Sequence, residues 1–216
     1  MNQPIPPSAA AELRTSWMTC AAAALLPVPV FAVVDPSGSA DIACAYLGLA
    51  SAWVAAEVFR AGGLPGSRAA WAAKTAAVAA AVGVNLAVFV VMGLAAGVRT
   101  ALPFPLMAAM SAAPAVGLVP WLVMRVRRPY GALVLAAAML LAAKLAACVV
   151  VRIVYGPDAL AAGYMAGDWH SARLMISLFW AQALALSIAG LVMGYCGAKD
   201  VERPQPVGTD PGRRCA

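Results

Sequence analysis

The chain has 216 residues, 63% of them apolar and only 11% charged, with a mean hydropathy of +0.84. Soluble domains carry about twice that charged fraction, so a soluble enzyme or signalling domain is excluded. The formal charge of +6 lies at segment ends and in short loops, without the basic–aromatic interleaving or finger spacing of a nucleic-acid reader, and no nucleic-acid partner is expected.

The apolar residues fall in long blocks rather than alternating runs, which favours helices over a β-barrel. About twenty residues at 1.5 Å each cross a roughly 30 Å hydrocarbon layer. The expected fold is therefore all-α: a polytopic membrane bundle of six transmembrane helices over residues 16–197, with tails 1–15 and 198–216.

Segment one covers 16–34. Its basic flank and the triplet Gly38-Ser39-Ala40 resemble a cleavable signal, but comparable spans follow, so it reads as a retained helix kinked by Pro27 and Pro29. A loop with Asp35 and Asp41 leads into segment two, 42–59, and then Arg60 and Arg68 flank a run of helix breakers. Segment three, 70–98, exceeds a perpendicular span and implies tilt; Trp71 and Lys74 at its start suit an interface. Segment four, 102–124, contains Pro103, Pro105, Pro114 and Pro120, of which Pro114 should bend it at mid-membrane. Arg125, Arg127, Arg128 and Pro129 precede segment five, 134–155, which carries Lys144 near its middle and Arg152 near its end. A polar loop, GPDALAAGYMAGDWHSAR, joins it to segment six, 174–195, and a Pro- and Gly-containing tail expected to be disordered follows. The polar chemistry is densest here, which makes 130–195 the expected organising stretch.

Basic residues decide the orientation. Alternate connections hold Arg14, then Arg60 and Arg68, then Arg125 to Arg128, then Lys199, Arg203, Arg213 and Arg214; the opposite set holds Arg99, Arg152 and Arg173. This bias places both termini in the cytoplasm of a multi-pass protein of the bacterial inner membrane. Trp17, Trp71, Trp121, Tyr130 and Tyr195 mark the inner interface, and Tyr155, Tyr164 and Trp169 the outer one.

Two Gly-x-x-x-Gly pairs, Gly93/Gly97 and Gly190/Gly194, predict close helix packing, either within the chain, between copies of it, or against partner membrane subunits. Five cysteines form neither a CxxC pair nor a metal-ligand spacing, and no metal or cofactor is expected.

Three groups of residues can carry chemistry. Lys144, Asn85 and Gln182 share a depth near mid-membrane, where a lysine needs oxygen acceptors; they form either a binding site for a small polar or anionic solute or a buried packing network. Glu57 and Lys74 make an interfacial pair, either an ion pair joining two helices or a gate. At the outer face, Asp158, Asp168, His170 and Arg173 are weak catalytic candidates, with Asp168 and His170 as acid and base; alternatively Asp168 caps a helix. A transporter or permease-like protein is the preferred function. The alternatives are a membrane enzyme with its site at the outer face and a non-catalytic subunit of a membrane complex.

Overall fold

A computed structural model describes residues 17–25, 40–61, 63–98, 104–126, 128–156 and 169–198, together with Arg14, Pro27, Val28 and Phe31. These residues form helices α1 (Trp17–Leu25), α2 (Ala40–Arg60), α3 (Arg68–Ala95), α4 (Phe104–Val126), α5 (Pro129–Tyr155) and α6 (Trp169–Gly197). In hydrocarbon every backbone N–H and C=O must be paired inside its own segment, which is why Ala-, Leu- and Val-rich runs resolve as helices and end at breakers. Ser67 caps α3, its hydroxyl accepting from the Ala70 amide at 3.2 Å. At the other end of α3, Gly97 turns with φ of 71°, and the Val98 amide donates back to the Gly93 carbonyl at 3.0 Å. Proline's preset φ suits the first turn of α5, where Pro129 stands.

The all-α bundle and its membrane character hold. Among the described residues four helices, α3 to α6, are long and apolar enough to cross a membrane. Of segment one, the described residues are helical: α1 itself and, beyond it, Pro27, Val28 and Phe31. Helix α2 has 21 residues and, with Tyr46, Ser51, Trp53, Glu57 and Arg60 in it, is less apolar than the other four long helices. Its apolar residues pack in the protein: Val54, Ala55, Val58 and Phe59 are fully enclosed. Apart from Arg14 and Ala198, both tails, and with them the side of the membrane on which the termini lie, fall outside the described residues.

The centre of the bundle is α4, not the 130–195 stretch. It packs on α2, α3, α5 and α6, most extensively on α6, and is the most enclosed of the four long apolar helices. Small residues make this possible. Helices in lipid gain little from hydrophobic transfer and associate through close van der Waals contact, so Ala, Ser and Gly belong at the crossings. A Cβ on Gly190 would stand 2.6 Å from the Gly117 carbonyl oxygen, and one on Gly117 would collide with the Ser187 carbonyl. On the opposite flank Gly48 of α2 faces the Ser111 carbonyl, 3.0 Å from where its Cβ would be. Aromatic contacts complete the packing: Phe89 lies 5.1 Å from Phe31 and 5.5 Å from Phe104 between ring centroids. Helix α5 is peripheral, and Val134, Leu141, Leu145, Val149 and Ile153 are exposed along it, a face suited to lipid.

The glycine pairs divide by role. Gly190 meets α4, and Gly194 lies against the Trp71 indole, 2.7 Å from where its Cβ would be, so both serve packing within the chain. Gly93 makes room for the Phe104 ring, whereas Gly97 ends α3 and has nothing within 4 Å of a Cβ position. Its spacing from Gly93 reflects a helix terminus, not a second packing contact.

Candidate functional site

A cavity of about 350 Å³ opens between α2, α4, α5 and α6. Its lining includes Leu49 from α2, Ser111 and Pro114 from α4, Leu140 and Lys144 from α5, and Trp180 from α6. Among the described residues, Lys144 is its one charged lining residue. Along the axis of α5 this lysine lies about 16 Å from Tyr155 and about 22 Å from Pro129, which places it near mid-depth. The side chain is exposed on the isolated chain, and no hydrogen bond or ion pair engages it among the described residues.

The structure does not gather Lys144, Asn85 and Gln182 around one cavity. Asn85 is fully buried and donates through Nδ2 to the Ser51 hydroxyl at 3.1 Å, tying α3 to α2. Among the described residues its Oδ1 is buried without a partner. Gln182 is half-buried on α6, and neither it nor Asn85 lines the cavity. The three share a depth but not a direction.

Glu57 and Lys74 take separate partners. The Glu57 carboxylate accepts from Arg60 Nε at 3.0 Å and Nη2 at 2.7 Å. This pair holds the Arg60 guanidinium pKa above its ordinary value, through the hydrogen bond first and the carboxylate's charge second. Lys74 is buried and donates through Nζ to the carbonyls of Phe59, at 3.4 Å, and Ala61. Those carbonyls belong to the last turn of α2, where no further helical amide can reach them and where the helix dipole favours a cation. Lys74 of α3 thus caps α2 in trans. Lys74→Met is expected to destabilise the protein by about 1–3 kcal/mol, the cost of stranding buried acceptors, and to lower its melting temperature in detergent. Melting at the parent temperature would show that the capping contact contributes nothing.

At the outer face, Asp158 and Asp168 lie outside the described residues. His170 falls in the first turn of α6, and Arg173, one turn on, is exposed. Among the described residues no three His, Cys, Asp or Glu side chains come together as metal ligands.

Residues that the sequence left unmarked complete the cavity. Met175, Ile176, Phe179 and Trp180 form its α6 wall, and the rings of Phe179 and Trp180 pack at 4.6 Å between centroids. One sequence signal pointed there. Trp180 stands in the middle of α6, far from either interface, whereas tryptophan in spanning helices favours the headgroup level. Such a residue needs a protein neighbour or a ligand to cover its polar edge. Comparison of the chain with protein-family profiles, curated proteins and solved structures gives no match.

Proposed function

We propose that this protein is a carrier of the bacterial inner membrane, with six crossing segments and cytoplasmic termini, that binds a small anionic solute at Lys144. The observation that supports this reading most is a single cation, near mid-depth, on the wall of a cavity and without a partner among the described residues. An ionisable group at that depth is costly, and function is the usual reason it is kept. Pro114 beside the cavity supports a moving role, because a proline inside a helix leaves one backbone bond unmade and weakens the helix against bending. The enzyme reading rests on Asp158, Asp168, His170 and Arg173, of which Asp158 and Asp168 lie outside the described residues. The subunit reading is weakened because Gly93, Gly190 and Gly194 already meet side chains or backbone of the same chain.

The test is extraction of bound small molecules from protein purified in native lipid. An organic anion held by the parent, lost from Lys144→Met and retained by His170→Ala supports the carrier. Equal retention by Lys144→Met rejects Lys144 as the site. The topology has its own test. In a cysteine-free background, Gln3→Cys should resist an impermeant thiol reagent in intact cells, and Ala162→Cys should react; the reverse pattern overturns the orientation.

A further inference from the structure

The cavity around Lys144 is poorly built for a hydrophilic anion. A small oxyanion leaving water needs several donors to replace its hydration. Besides the ammonium, the lining offers the Ser111 hydroxyl, which already donates to the Ala108 carbonyl at 2.8 Å, and one indole N–H, that of Trp180. The remaining walls are largely hydrocarbon, sulfur and aromatic rings: Leu140, Met175, Ile176, Phe179 and Trp180. The cavity also opens sideways. Leu49 and Leu141 both line it and stand 65% and 59% exposed, and Leu141 belongs to the apolar outer stripe of α5. A rim of exposed leucines at membrane depth gives onto acyl chains rather than water.

Depth narrows the occupant further. A resident phospholipid keeps its phosphate at the headgroup level, roughly 15 Å from the midplane. Lys144 lies too deep to meet that phosphate without drawing the headgroup into hydrocarbon. One ammonium matches one monoanionic head, whereas a phosphate monoester would carry further charge and oxygens with nothing to receive them. Resting on the reading of Lys144 as the anion site, we infer that the occupant is a single-chain amphiphile with a carboxylate head. It enters sideways from the bilayer, sets its carboxylate against Lys144 Nζ and lays its chain along Phe179 and Trp180. A cavity of about 350 Å³ is in the range of small-ligand sites.

The test uses full-length protein in dioleoylphosphatidylcholine vesicles and hexadecanoate carrying a photoreactive diazirine in mid-chain. Saturable crosslinking to peptides 140–144 and 175–180 is expected, competed by hexadecanoate but not by hexadecanol or butyrate. Lys144→Met should weaken binding about ten- to a hundredfold, the value of one charge-assisted contact, and Lys144→Arg should restore most of it. Melting curves of both variants beside the parent separate lost binding from lost folding. Competition by butyrate or succinate that depends on Lys144, with no crosslinking by the long probe, would overturn the amphiphile and leave the anion site standing. Stronger competition by a lysophosphatidate than by hexadecanoate would overturn the carboxylate assignment. Equal competition by hexadecanol with equal labelling of Lys144→Met would overturn the headgroup contact. Parent protein that binds neither long nor short anions would overturn both readings.

Discussion

Gly117→Val is expected to prevent the bundle from assembling. The new Cβ would fall on the Ser187 carbonyl oxygen, a backbone atom of α6 that cannot rotate away as a side chain could. The crossing is tight from both sides, since a Cβ on Gly190 would stand 2.6 Å from the Gly117 carbonyl. Relief therefore requires the two helices to separate along the most extensive interface in the molecule. Overpacking in a core costs about 1–3 kcal/mol when side chains can adjust, and a backbone clash lies at or beyond the upper end. The membrane adds no compensating hydrophobic force between helices. Loss of a monodisperse peak on size exclusion, with no cooperative melt in detergent, is the expected result. Gly83→Ala is the control, because nothing lies within 4 Å of its Cβ position on α3, and it should be neutral or slightly stabilising. A well-folded Gly117→Val protein with the parent's melting temperature would show that α4 and α6 do not cross at these glycines.

Lys144→Met is expected to abolish solute binding while leaving stability equal to or above that of the parent. Translocon scales put a mid-helix lysine at about 2.5–3.5 kcal/mol unfavourable, and no protein acceptor among the described residues offsets it. Methionine has a similar length, no charge and the flexibility to fill an apolar cavity. Uptake into proteoliposomes should fall at least about tenfold, as expected for loss of a charge-assisted contact. The same substitution at Lys74 should give the opposite result: function per folded molecule retained, melting temperature lowered. Two lysines of one chain are thus separated by what their ammonium groups touch. A marked destabilisation of Lys144→Met would mean that Lys144 is a structural partner, and would favour the packing-subunit reading.

Helix positions were legible in the sequence to within a few residues. Expected spans of 42–59, 70–98 and 102–124 became Ala40–Arg60, Arg68–Ala95 and Phe104–Val126. Breakers and the need to pair every backbone group act locally, so a reader of the chain can apply them. Depth was legible as well, because each residue advances about 1.5 Å. Direction around the axis was not. Asn85 and Lys144 match in depth, yet Asn85 turns to Ser51 on α2 and Lys144 to the cavity beside α6. In these helices apolar residues run all round, so no amphipathic face tells protein from lipid, and only the neighbours decide. For the same reason α4 did not stand out as the centre. Its three prolines read as interruptions, although its small residues are what allow four helices to approach it. The Lys74 contact was obscured differently. A nearby carboxylate, Glu57, offered an obvious partner, while the carbonyls that Lys74 meets have no sequence signature.

The central place of α4 has a consequence for biosynthesis. The ribosome makes this helix well before α6, the neighbour that packs on it most extensively. At about 5–20 residues per second, several seconds separate the two. During that interval the face bearing Gly117 must be held by the insertion machinery, by early helices α2 and α3, or by lipid. A ribosome that stalls or a message that ends before α6 leaves a product whose innermost surface is its most open one. The small residues that let the finished protein close are, in such a fragment, the ones left uncovered.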